Sequence, residues 1–565
     1  MSFFDINVAI GRFARPVGAA FDQASALQGE LKRLGIAEAL VCHALASEGD
    51  VVLGNRLLLE AVEGHGNLYP CWVMCPPYLG DVPDPEWWVA EARDYGVYAA
   101  RLFPLHSLYP LEDWCVGPLL NELERANMPV LLDFGPRHWS QTLIPWGSIR
   151  TLAQTYPDLS FIVLGATVGD ARAIESLLYA AQNVYFEYHA FMPPDMLEHV
   201  SQNGFAKQFV FGTGLPRRAA ECVVGQTLLG GLANDERVAV TGDTARTLLG
   251  IESTARMCEP LPLEAVFADV PVIDVHGHIG SWERTTAPVK GPEAFVRSMD
   301  RCGIAQFVFS SFAAIHGETT LGNREAAEAV TSYPDRLFAY VVVNPNYPED
   351  SLADVHHYLD GPSNFVGLKF HCYLHGAQLH DSGYAPSLSY ADEHALAVLV
   401  HGGGRDEWDN VCAKYPRTQF IIAHACAWDG LDPDGRVLYE RVRTTPNLHV
   451  DLSGSAAHRG ALRKLIDLVG ADKILYGSDF PMFDFAWELA RVTLSDIRDD
   501  EKRLICGDNA RRIFKRLRYT QALGLHIPLG PAGLPPKGGI NHAIQRVTSS
   551  VPHCGGQVGR SSSLA

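Results

Sequence analysis

The chain repeats itself at long range. FDINVAIG (4–11) returns as IDVHGHIG (273–280), YAARLF (98–103) as VGLKFH (366–371), and PVLLDFG (129–135) as AVLVHGG (397–403). YPDLSFIVLGA (156–166) answers YPRTQFIIAHA (415–425), NVYFE (183–187) answers NLHVD (447–451), FGTGLP (211–216) answers YGSDFP (476–481), and GDTAR (242–246) answers GDNAR (507–511). The offsets are 269, 268, 268, 259, 264, 265 and 265 residues. A near-constant offset this long describes a tandem pair of domains and not a solenoid. The boundary is expected near 255–262, where STARMCEPLPLEA interrupts the pattern with two prolines.

Each half has the same internal grammar. In the second half VIDVHGHI (272–279), QFVFSSF (306–312), LFAYVVVN (337–344), FVGLKFH (365–371), LAVLVHGG (396–403), QFIIAHAC (419–426), LHVDLSG (448–454) and KILYGSDF (473–480) are nearly continuous apolar runs. Such runs suit parallel strands buried on both faces. Segments with helical spacing, such as NREAAEAVTSY and RDEWDNVCAKY, lie between them. Eight strands with crossover helices in about 250 residues predict a (β/α)8 barrel. The expected fold class is therefore α/β, with two tandem TIM-type barrels over 1–255 and 262–518. The remainder, 519–565, is rich in Gly and Pro and has no acidic residue, which predicts a tail without a core of its own.

Composition narrows the function. A net charge of −19, from 46 basic and 65 acidic residues, argues against a general binder of nucleic acid or anionic membrane. The twelve cysteines are scattered with no C-x-x-C pair, as expected of reduced thiols. The N-terminal MSFFDINVAIGRF lacks the apolar stretch of a signal peptide, and no apolar run is long enough to span a bilayer. A cytoplasmic protein is expected. No G-x-S-x-G elbow, H-E-x-x-H helix, P-loop or dinucleotide fingerprint is present.

Polar residues interrupt the second set of strands at their C-terminal ends. His276 and His278 form an H-x-H on one face of the first strand, His401 ends the fifth run, His424 the sixth and Asp479 the eighth. In a parallel barrel these ends share one mouth, so residues 200 apart converge. Imidazoles with one carboxylate make a ligand set suited to one divalent metal, Zn²⁺ first, with Mn²⁺ or Fe²⁺ as alternatives.

IDVHGHIG, GLKFH, LVHGG, FIIAHA, VDLSGS and LYGSDFP, in that order, resemble the metal-dependent amidohydrolase superfamily, in its amidohydrolase-related branch. That branch includes aminocarboxymuconate-semialdehyde decarboxylase-like enzymes and several lactone or ring hydrolases. The resemblance implies that His276, His278, His401 and Asp479 hold one metal and that His424 acts beside it on substrate or water. A bound metal lowers the pKa of water from 15.7 toward ~7. Asp479 is then placed to accept a proton and pass it to a leaving group. Lys369, within GLKFH near the end of the fourth run, either bridges two metals as a carbamate, binds an anionic substrate group, or pairs with a carboxylate; substrate or electrostatic support is the preferred reading. His371, Tyr373, Trp282 and Arg284 are candidate pocket residues for a small-molecule substrate.

Through the repeat, His276 and His278 correspond to Asn7 and Ala9, His401 to Asp133, His424 to Gly165, Asp479 to Gly214 and Lys369 to Arg101. The first barrel is therefore expected to keep the fold without the metal, as a pseudoenzyme half and an intramolecular partner. Family members often dimerise, so Arg12, Arg15 and Arg101 are candidates to reach the working site, and a homo-oligomer is a further expectation. The expected reaction is metal-dependent hydrolysis of an amide, lactone or related bond. The alternative is non-hydrolytic decarboxylation.

Overall fold

The computed structural model describes residues 2–14, 20–135, 143–252, 271–282, 291–403, 407–425, 436–454 and 457–518. The expected boundary at 255–262 and the tail 519–565 lie outside them. Sixteen strands form two eight-stranded parallel sheets in sequential order. The first comprises β1 (Phe3–Ile10), β2 (Ile36–His43), β3 (Leu68–Val73), β4 (Ala99–Leu102), β5 (Val130–Asp133), β6 (Phe161–Leu164), β7 (Val184–Glu187) and β8 (Phe209–Val210). The second comprises β9 (Val272–Ile279), β10 (Ile304–Ser311), β11 (Leu337–Val343), β12 (Phe365–His371), β13 (Ala397–His401), β14 (Gln419–Ile422), β15 (Leu448–Asp451) and β16 (Ile474–Leu475).

Both sheets close on themselves. Ile6 N donates to Phe211 O (3.1 Å) and Ala9 N to Leu215 O (2.9 Å), joining β1 to the segment beyond β8. In the second sheet Val275 N donates to Tyr476 O (3.1 Å) and His278 N to Phe480 O (2.7 Å). With helices between the strands, these are two tandem (β/α)8 TIM barrels.

Each barrel has an apolar interior and an apolar layer under its helices. Phe4, Ile6, Leu40, Leu131 and Ile162 fill the first interior, and Ile273, Val275, Val308, Tyr340 and Leu399 fill the second. Local details also recur. Asn55 exchanges two bonds with Val73 (2.8 and 3.0 Å), and Asn323 does the same with Val342 (3.1 and 2.9 Å), each pinning a helix to its neighbouring strand. A π-helical turn follows each last strand, at Ala239–Asp243 and Leu504–Asp508.

The barrels pack through the helix after each eighth strand, Ala220–Leu229 against Phe485–Thr493. A Cβ on Gly225 would lie 2.0 Å from Ala490 Cβ, so only glycine permits this crossing. No helix among the described residues is long and apolar enough to cross a membrane.

Candidate metal centre

The first strand of each barrel carries an irregularity that aims its polar residues. Asp274 pairs with Phe307 and Gly277 with Phe309, so three steps along β9 face two along β10. A β-bulge of this kind shifts the inward parity of the strand. Ile273 and Val275 face the core below the bulge, and His276 and His278 face the mouth above it. β1 has the same shift between Asp5 and Val8.

His276, His278 and Asp479 form a buried group whose ligand atoms all lie within 4.8 Å of one another. Asp479 Oδ1 is 2.9 Å from His278 Nε2 and 3.6 Å from His276 Nε2. His276 Nδ1 donates to Asp451 Oδ2 (2.9 Å), which leaves the Nε2 lone pair facing the mouth. Ser453 Oγ donates to Asp451 Oδ1 (2.5 Å), and Ser310 Oγ lies 3.1 Å from His278 Nδ1. A second group, His276, His424 and Asp451, shares His276. Its His276–Asp451 contact is the orienting bond just described.

The electrostatics favour neutral imidazoles. Burial, reinforced by Lys369, lowers the His276 pKa to about 4, and burial also lowers that of His278. Asp451 is held at about 2: burial works against its charge, but His276, His424 and Ser453 outweigh it. The carboxyl of Asp479 is likewise held low by His278, His276 and His424 despite burial. Two neutral nitrogens and one ionised carboxylate are the protonation states that a divalent ion requires.

The other expected residues surround this group. His401 ends β13 but lies outside both groups; its Nδ1 is 3.3 Å from His424 Nε2, and its ring stacks on His371 at 4.1 Å. His424 Nδ1 donates to Ser453 O (2.7 Å). Lys369 is fully buried, with Nζ 2.9 Å from His276 Nε2; burial lowers its pKa to about 8, against the pull of Asp479 and Asp451. Trp282 packs near Phe312 and His316 (5.9 and 5.5 Å), and Phe312 stacks on His278 (4.4 Å). Tyr373 is 79% exposed and does not enclose the mouth. Arg284 lies outside the described residues.

The strand ends differ from the expectation. β14 stops at Ile422 and β16 at Leu475, so His424 and Asp479 lie beyond their strands. Both have left-handed backbones, φ +55° and +61°, which no strand can accommodate. Asp451 was not singled out by sequence reasoning. Its signal was available, because NVYFE and NLHVD both end in an acid.

Of the arginines that were candidates to reach the working site, Arg12 and Arg101 are engaged within the first barrel. Arg12 pairs with Asp22 on the surface. Arg101 is buried in its own barrel, where its guanidinium binds Asp133 Oδ2 (Nε 3.0 Å) and Asn7 Oδ1 (Nη2 2.7 Å). Asn7 Nδ2 donates in turn to Glu187 Oε2 (3.2 Å), which lies 2.7 Å from His189 Nδ1. A fixed cation thus pairs with Asp133 in the first barrel. Arg15 lies outside the described residues.

Residues 273–516 match a family model described as amidohydrolase. No curated protein matches the chain. Among solved structures, an amidohydrolase II is 19% identical, with a TM-score of 0.36, covering 43% of this chain and 99% of its own. A 5-carboxyvanillate decarboxylase from Sphingomonas paucimobilis is 14% identical, with a TM-score of 0.35 and coverage of 44% and 99%. A 2,6-dihydroxybenzoate decarboxylase from Rhizobium is 17% identical, with a TM-score of 0.34 and coverage of 44% and 99%.

Proposed function

We propose that the C-terminal barrel is a metal-dependent hydrolase of a small organic substrate, and that the N-terminal barrel is a degenerate copy of it kept as a built-in partner. The observation that carries the first part is the convergence of His276, His278 and Asp479 within 4.8 Å in a buried mouth. In this reading these three hold one divalent ion, Zn²⁺ first, with His401 beside them. The ion supplies Lewis acidity toward water or a substrate oxygen.

The chain's own groups supply the rest. Asp451 fixes the His276 tautomer so that Nε2 points into the mouth. Asp479 would accept the proton that the attacking water loses and return it to the leaving group. His424, held at Nδ1 by Ser453 O, orients the reacting water or carbonyl. Phe312, stacked on His278, and Trp282 form an apolar wall beside the group.

Decarboxylation is the second reading, favoured by Lys369. Its ammonium lies within the mouth, 2.9 Å from His276 Nε2, where it would hold a substrate carboxylate.

Degeneracy of the first barrel is supported by its backbone. The counterparts of His424 and Asp479 are Gly165 and Gly214, with φ +80° and +70°. The left-handed conformation is kept in both barrels, but only the second bears the strain of a side chain there.

Elemental analysis of the purified chain tests the metal. About one equivalent of divalent metal is expected, and its loss in His276→Ala and Asp479→Ala. A wild-type protein without stoichiometric metal, even after incubation with Zn²⁺ or Mn²⁺, would remove the reading. Product analysis then separates acid or amine release from CO₂. For the partner role, expression of 262–518 alone is expected to give an aggregating or poorly active fragment; a monomeric, fully active one would make the first barrel dispensable.

A further inference from the structure

The contact between the barrels is reciprocal. Asp484 N donates to Met192 O (3.1 Å), and Ala219 N donates to Ala457 O (2.8 Å). With the offsets of 264 and 265 that flank this region, Met192 corresponds to Ala457 to within one residue, and Ala219, at 265, corresponds to Asp484. The loop after the seventh strand of each barrel therefore meets the loop after the eighth strand of the other. This is the pattern of an isologous, two-fold interface, realised within one chain.

The two halves of the contact differ in what they hold. In the second barrel the eighth-strand loop is the one that carries Asp479. Its near end is fixed by its own barrel: Asp479 N donates to His276 O (2.7 Å), and Phe480 O accepts from His278 N (2.7 Å). Its far end is fixed by the other barrel. Asp484 Oδ1 caps the helix Phe485–Thr493 through Ala486 N (2.7 Å), and Asp484 Oδ2 accepts from Asp195 N (2.8 Å). Asp195 is itself left-handed, with φ +53°. Its Oδ2 accepts from Ser298 Oγ (2.6 Å), and its Oδ1 pairs with Arg301, both on the second barrel's helix Pro292–Cys302. Trp487 Nε1, three residues beyond Asp484, donates to His189 O (3.2 Å).

A non-glycine residue at φ +61° persists only where its surroundings over-determine it. The contacts of Asp479 itself lie in its own barrel, but the far end of its loop, at Asp484, is held by Met192 and Asp195 of the first barrel. We propose that the segment Met192–Asp195 of the N-terminal barrel is a positioning element for Asp479, clamping the far end of its loop against the helix Pro292–Cys302. Metal affinity in the second barrel then depends on the first being docked. This rests on the reading of Asp479 as a metal ligand.

The full-length chain and Zn²⁺ alone provide the test. Asp484→Asn keeps the Oδ1 cap but sets an amide against Asp195 N–H; Asp195→Asn tolerates the left-handed backbone but loses the charge facing Arg301. Each is expected to weaken Zn²⁺ binding about tenfold, the size expected for groups that hold a ligand in place. Each is also expected to speed backbone hydrogen exchange across 476–484 while leaving β13 unchanged. Arg459→Ala, which removes a different inter-barrel pair with Glu30, should leave Zn²⁺ affinity within about twofold. Wild-type affinity and exchange in both Asn variants would overturn the proposal, as would equal weakening by Arg459→Ala. A wild-type chain that binds no Zn²⁺ would defeat the metal reading, while the exchange measurement would still decide whether the clamp exists.

Discussion

His276 stands between Asp451 and Asp479, with Nδ1 2.9 Å from one carboxylate and Nε2 3.6 Å from the other. The first contact sets which nitrogen carries the proton, and it leaves Nε2 facing the mouth, where the Lys369 ammonium lies 2.9 Å from it. Asp451 is 175 residues from its partner in sequence, and nothing local to either residue announces the bond.

Asp451→Asn tests this directly. The amide conserves shape but loses the charge that holds the Nδ1 proton. Divalent-metal affinity is expected to fall 10–100-fold with little change in the unfolding midpoint. Titration with Zn²⁺ against a chelator measures it, and unchanged affinity would exclude an orienting role.

Gly165→Ala tests the left-handed backbone of the first barrel. At φ +80° a side chain is strained, and its Cβ would lie 2.6 Å from Gly135 N. The expected cost is about 2 kcal/mol, read by urea unfolding. A neutral substitution would mean that the loop relaxes freely and that the left-handed turn is not imposed by the fold.

Asp5 gives a pH signature remote from the proposed metal. Burial, partly offset by bonds from Thr213 and Asn7, raises its pKa to about 6. The folded state therefore holds a proton that the unfolded state releases near pH 4. Its contribution is fully present below the unfolded pKa and is lost as pH rises through about 6. Between these limits wild type should lose roughly 3 kcal/mol relative to Asp5→Asn, which does not titrate. Parallel stability–pH profiles for the two proteins would contradict the assignment.

Gly225→Leu tests the crossing of the two interface helices. With 2.0 Å available between an added Cβ and Ala490 Cβ, the helices must separate. We expect a destabilisation of about 3 kcal/mol or more and faster proteolysis between the barrels. A wild-type melting temperature would show that the contact is easily remodelled.

Features with a local period were legible in the chain. FVGLKFH and VIDVHGHI were read to their observed ends because a buried parallel strand needs a continuous apolar run. The repeat disclosed two barrels for the same reason: each copy of a strand carries its own signal. The H-x-H pair was visible on one strand face. Its alignment on the mouth, however, depends on a bulge that exists only through pairing with β10.

What the tertiary structure decided is everything made by residues distant in sequence. It placed His401 against His424 and His371, outside the His276–His278–Asp479 group. It drew Asp451 under His276, and it turned Arg101 inward to neutralise Asp133. It also carried the Asp479 loop across to Asp195 of the other barrel. Pattern and period determine which elements form. The direction of a buried polar side chain is set instead by the partner that satisfies it, and that partner is chosen by packing across the barrel.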